Sequence, residues 1–170
     1  MDYRMLNNGK GISLQFASIE ELNNFENFIK NEDNYLYSRL EQYKNNKYVV
    51  DPYVIAVVVW YEDIPKLISV LYDYLITTEP NLFDGYKNSN KNIMKWLLVQ
   101  LALLKSNKEK LLLLDSKLRE NKYDVEKDRR HAILNYIDTL NPTNLNYNDL
   151  IYYLTESNEC INNAEALLKN

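Results

Sequence analysis

Tyr53-Val54-Ile55-Ala56-Val57-Val58-Val59-Trp60-Tyr61 is the stretch on which the fold turns. Five of these nine residues are β-branched, which suits a buried strand. Asp51-Pro52 directly before it pairs a capping acid with a proline suited to the first helical position. A helix that is apolar all round is a buried helix. Both flanks read as helical, so the expectation for 53–61 is a helix. A strand there would instead add a third strand to an N-terminal sheet and make the protein α+β.

Upstream, Tyr3-Arg4-Met5-Leu6 and Ile12-Ser13-Leu14-Gln15-Phe16 flank Asn7-Asn8-Gly9-Lys10-Gly11. The Asn/Gly cluster supplies turn conformations, and Ile12, Leu14 and Phe16 alternate as one buried face, so the segment reads as a β-hairpin. Ser18-Ile19-Glu20-Glu21 follows as a capping box, with Ala17 and Leu22 placed as a staple. Leu22, Phe25, Phe28 and Ile29 then share one helical face. A second helix covers 33–43 through Leu36 and Leu40.

Downstream, Asp63 is placed to cap a helix that buries Leu67, Ile68, Leu71, Tyr74 and Leu75. Residues 90–105 form a strongly apolar helix, in which Trp96 reads as buried. A break at Ser106-Asn107 separates it from a helix over 108–122, and another helix covers 124–140. The last spans 147–168, with Leu150, Leu154, Ile161, Ala164 and Leu168 as its stripe. The expected fold is mainly α: an antiparallel bundle of about six to seven helices with a short N-terminal β-hairpin, residues 1–170 forming a single domain.

Composition agrees. Only 3 Gly and 4 Pro argue against a fold of many tight turns, and 46% apolar with 26% charged residues is a globular profile. One cysteine, Cys160, cannot form an internal disulfide, and no apolar run is long enough for a bilayer, so a cytoplasmic protein is expected. The chain holds 24 Asn and 15 Tyr. Both have A/T-rich codons, which fits an AT-rich genome or a mobile element, and Tyr is also an interface residue.

Charge is segregated. Residues 1–86 carry 13 acids and 7 bases, 87–131 carry 6 and 12, and 132–170 carry 5 and 1. Such blocks steer charged partners or pair with each other inside the fold. The basic segment from Lys87 to Arg130 raises nucleic-acid binding, but interleaved acids and a chain net charge of −4 disfavour it.

Catalytic patterns are thin. The single histidine, His131, and the missing Gly-x-Ser-x-Gly elbow leave no nucleophile with its base. Arg129-Arg130-His131 lacks the spacer that compact helical ribonucleases place between arginine and histidine. Asn8-Gly9-Lys10-Gly11 is not a phosphate loop. Cys160 adjoins an apolar stripe and reads as a structural thiol. Asp124, Asp128, His131, Asn135 and Asp138 are spaced 4, 3, 4 and 3 apart, which puts them on one side of a helix. Asp128 and His131 could there serve a metal or acid–base site, although the same residues suit a solvated face. No cofactor is implied.

Tyr35, Tyr37, Tyr43 and Tyr48 crowd one region with Glu41 and Asp51, and an aromatic surface rimmed by acids suits protein binding. The leading expectation is a non-catalytic intracellular protein-binding module, an inhibitor or adaptor such as a toxin-immunity or phage counter-defence protein. Its partner would be another protein, with no membrane and nucleic acid disfavoured. The alternatives are an enzyme using the Asp128/His131 face and a nucleic-acid-associated protein using 87–131.

Overall fold

The computed structural model describes residues 1–6, 11–45, 54–57, 63–86 and 88–169. Strands β1 (Asp2–Leu6) and β2 (Gly11–Gln15) pair antiparallel, with Tyr3 opposite Leu14 and Met5 opposite Ile12. Ile12, Leu14 and Phe16 are buried, as the alternation predicts. The turn at 7–10 lies outside the described residues.

Residues 54–57 depart from the helical expectation. Val54–Val57 is strand β3, antiparallel to β2, with Leu14 opposite Ile55 and Ile12 opposite Val57. The sheet order is β1-β2-β3. The physical reason is that β2 is the central strand. Its second edge carries a row of N–H and C=O groups that need partners, and a β-branched segment supplies them better than a helix could. The rest of the 53–61 stretch and Asp51-Pro52 lie outside the described residues.

Six α-helices occur among the described residues: α1 (Ile19–Glu32), α2 (Asn34–Asn45), α3 (Ile64–Thr78), α4 (Lys91–Glu120), α5 (Lys127–Asp138) and α6 (Tyr147–Lys169). The mainly helical bundle with its hairpin therefore stands. At α1 the Glu21 N–H donates to Ser18 Oγ at 3.1 Å and the Glu21 carboxylate accepts from Ala17 N at 2.7 Å. At α3 the expected cap is different. Asp63 makes no side-chain cap; its carboxylate is buried and accepts from Arg39 Nε of α2 at 3.1 Å.

The expected break at Ser106-Asn107 is not there. α4 runs unbroken for 30 residues. Asn107 is buried, and its Nδ2 donates to Ser157 Oγ and Asn158 Oδ1 of α6, each at 2.8 Å. A polar pair that resembles a helix break in sequence is a cross-helix link in space. α5 returns between α4 and α6, so those two run parallel: Trp96 meets Tyr147 near one end and Asn107 meets Ser157 midway. The buried apolar side chains form one cluster, with Leu14, Phe25, Leu71, Leu101, Leu118 and Leu150 among its fully buried members. No helix among the described residues is long and apolar enough to cross a membrane.

Candidate functional site

The first half of α4 buries Met94, Leu97, Leu98 and Leu101. At 100° per residue, Ile93 falls on the flank of that face and Trp96 nearly opposite it. Trp96 is accordingly not buried as expected; it is 39% exposed, and Ile93 is 47% exposed. Tyr147, the first residue of α6, lies against Trp96 with ring centroids 5.5 Å apart and 32° between planes. The Tyr147 N–H donates to the Tyr86 hydroxyl at 2.9 Å, which fixes the start of α6 beside α4. Asn90 caps α4 by accepting from the Asn92 N–H at 2.8 Å. Asn92, Ile93, Trp96 and Tyr147 thus line an open apolar groove of about 440 Å³. Hydrogen bonds thus tie down both helix starts beside the groove.

Of the tyrosine patch expected around residues 35–51, the side chains of Tyr35 and Tyr37 are described. Tyr35 is exposed on α2, with Lys66 Nζ 4.4 Å from its ring centroid and the Arg39 guanidinium at 5.9 Å. Tyr37 packs partly buried against the core, with Lys30 Nζ at 5.8 Å. Residues two apart on a helix point about 200° apart, so Tyr35 and Tyr37 do not share a face. Glu41 and Tyr43 belong to the backbone of α2, but their side chains lie outside the description, as do Tyr48 and Asp51 entirely.

The polar helix face is partly assembled. Asp124 precedes α5, whose N-cap is Glu126 in the left-handed region at φ 58°. Asp128, His131, Asn135 and Asp138 are exposed on α5. Asp138 is ion-paired with Lys108 of α4. His131 turns toward α4, where its Nε2 is 3.8 Å from Asp115 Oδ2 and 3.4 Å from Arg119 Nη2. Among the described residues no group of three or more His, Cys, Asp and Glu is placed to hold a metal.

Beneath His131 lies a buried ion pair that sequence reading missed. Arg130 Nε donates to Asp115 Oδ1 at 3.0 Å, and Arg130 also reaches the Val125 carbonyl. Arg119 meets Asp115 Oδ2 at 2.7 Å. Burial alone would raise the Asp115 carboxyl, but the Arg130 hydrogen bond and the charges of Arg119, Arg130 and His131 hold it below its ordinary value. The available signal was an acid inside an otherwise apolar run, Leu111-Leu112-Leu113-Leu114-Asp115, which demands a buried cation.

Half of the basic segment is paired with carboxylates inside the fold. Lys91 pairs with Asp73, Lys105 with Asp2 and Lys108 with Asp138, while Arg129 meets Glu126, Glu156 and Glu159. Cys160 is buried, and burial pushes its thiol up to about 11.

The chain is thus mainly helical, with an exposed aromatic surface where α4 and α6 begin. Neither a family model, nor a curated protein, nor a solved structure matches this chain.

Proposed function

We propose that this chain is a non-catalytic protein-binding module, an inhibitor or adaptor acting in the cytoplasm, and that its partner seats on the Ile93/Trp96/Tyr147 groove. One observation supports the reading: Trp96 stands outside the buried face of α4 and lies against Tyr147 in an open apolar groove. Leaving a tryptophan, an isoleucine and a tyrosine together in water forgoes several kcal/mol of burial, on the order of 1.5–3 kcal/mol for a large apolar side chain. Exposed Trp and Tyr are also the residues that dominate binding energy at protein interfaces. A toxin-immunity or phage counter-defence role is the form of this reading that the composition favours.

A tagged pull-down from native-host lysate, run in parallel with Trp96→Ala and Tyr35→Ala, tests it. The expected result is one stoichiometric protein retained by the parent and by Tyr35→Ala and lost with Trp96→Ala. Retention by a folded Trp96→Ala variant moves the interface elsewhere.

A further inference from the structure

The seam between α5 and α6 carries a different surface, and three contacts set its register. Glu126, at the head of α5, accepts from Asn163 Nδ2 of α6 at 3.3 Å. One turn on, Arg129 meets Glu126 at 2.9 Å and, on α6, Glu159 at 3.0 Å and Glu156. Two turns further, Tyr136 stacks on Tyr153 with ring centroids 3.9 Å apart and 12° between planes. Residue numbers fall along α6 as they rise along α5, so the two helices are antiparallel and these side chains form one strip. Tyr152 stands at its tyrosine end, edge-on to Tyr153 at 5.1 Å and 57% exposed. Its hydroxyl is hydrogen-bonded to the Glu156 carboxylate, which joins the aromatic end of the strip to the charged one.

Charge along the strip is one-sided. Glu126, Glu156 and Glu159 share the single Arg129 guanidinium, which leaves two negative charges in excess. Asp149 adds a third, because it is exposed and forms no ion pair among the described residues. Lys127, the other cation at the head of α5, stands with Asp124 and Asp128 as well as Glu126, so it does not reverse the sign. Tyr152 is thus bracketed on α6 by Asp149 one turn before it and Glu156 one turn after it. An aromatic ring between two carboxylates suits a guanidinium, which stacks on the ring and donates in its own plane to the carboxylates. Phosphates and acidic segments meet the wrong sign here.

We infer that this strip docks an arginine-bearing segment of another protein, one guanidinium lying on Tyr152 between Asp149 and Glu156 and a second meeting the excess charge around Arg129. The inference goes beyond the Trp96 reading and stands apart from it. Tyr152 is five residues past Tyr147, about 140° round α6, so it faces away from the Trp96 groove.

Fluorescence anisotropy of a labelled hexa-arginine peptide against the full chain tests it, with labelled hexalysine in parallel. The parent is expected to bind hexa-arginine at low salt, about threefold or more tighter than hexalysine, and to lose affinity as salt rises. Tyr152→Ala and Asp149→Asn, both at exposed sites, are each expected to weaken binding about threefold or more. Glu165→Gln, which removes an acid from another side of α6, is expected to leave it unchanged. No binding of hexa-arginine at low salt overturns the inference. So does equal affinity for hexalysine, or an equal loss with Glu165→Gln and Asp149→Asn, since net charge alone then explains the binding. Binding of a labelled oligothymidine that Tyr152→Ala abolishes gives the face to a nucleic acid and overturns it. Self-association of the parent that Tyr152→Ala abolishes gives the face to a second copy, with the same consequence. Circular dichroism of each variant keeps misfolding out of the comparison.

Discussion

Arg130 of α5 donates through Nε to Asp115 of α4 at 3.0 Å, and both side chains are almost fully buried. This pair is a buried polar clamp between two helices that the Lys108–Asp138 ion pair also joins at the surface. Removing Arg130 leaves the buried Asp115 with only the exposed Arg119 and His131 beside it, and removing Asp115 leaves Arg130 as an unpaired charge in the core. Arg130→Ala is expected to cost about 3–5 kcal/mol in denaturant unfolding. Replacing both members with apolar residues of similar size, Asp115→Leu with Arg130→Met, is expected to be close to neutral. A double variant as unstable as Arg130→Ala would mean that the Val125 carbonyl, and not Asp115, is the partner that matters.

The same pair sets a pH dependence. Asp115 is held below its ordinary value in the fold, so the unfolded state binds its proton first as pH falls. Stability from this group is fully present above the unfolded carboxylate value of about 4 and is lost as pH drops through the lower folded value. Thermal unfolding of the parent is expected to lose stability over that acid window. Asp115→Asn, compared over the same window, should show a shallower slope. Equal slopes in the two proteins would assign the acid sensitivity to other carboxylates, such as Asp2 and Glu156, which are also lowered.

Asn107 shows how a local signal and a tertiary one compete. Ser106-Asn107 has the composition of a helix break, and propensity alone penalises both residues in a helix interior. The α4 ladder nevertheless continues, because Asn107 bonds Ser157 and Asn158 across the interface. Asn107→Ala is expected to cost about 1–3 kcal/mol while leaving the helix continuous. A cycle with Ser157→Ala should give a coupling of about 0.5–3 kcal/mol. A coupling of zero would reduce the contact to coincidental proximity.

Where hydrophobic period and capping agreed, the sequence was sufficient. Ser18 and Glu21, the Ile12/Leu14/Phe16 alternation and the Leu150/Leu154/Ile161 stripe all describe the elements observed. The misses share a cause. Val54–Val57, Asn107 and the carboxylate of Asp63, which is the N-cap residue of α3 as expected, are each decided by a residue far along the chain: a strand edge, a serine of α6 and an arginine of α2. The exposure of Trp96 was legible locally, from its angle to Leu97 and Leu101, whereas its contact with Tyr147 was not. The groove between α4 and α6 needed the parallel pairing of two helices that no local pattern reports.

Cys160 offers a last test, of how rigid the α4–α6 layer is. The thiol lies within α6, buried, one turn from Ser157 and Glu156, and burial raises it to about 11. At pH 8 two barriers therefore oppose its reaction with a disulfide reagent, because access is closed and the thiolate fraction is small. Modification is expected to be slow in the native protein and to proceed at the rate of an unmodified cysteine in denaturant. Its native rate should follow opening of α6 from α4, so Asn107→Ala, which removes the link midway along that interface, is expected to accelerate labelling by about tenfold if opening becomes about 1.4 kcal/mol easier. Arg130→Ala unfolds the clamp on α5 instead and should accelerate labelling at least as much, through global opening. Fast labelling in the parent would show that α6 detaches on its own. The aromatic groove at its start would then be a surface of a moving helix, and the presentation argued for Tyr147 would fail.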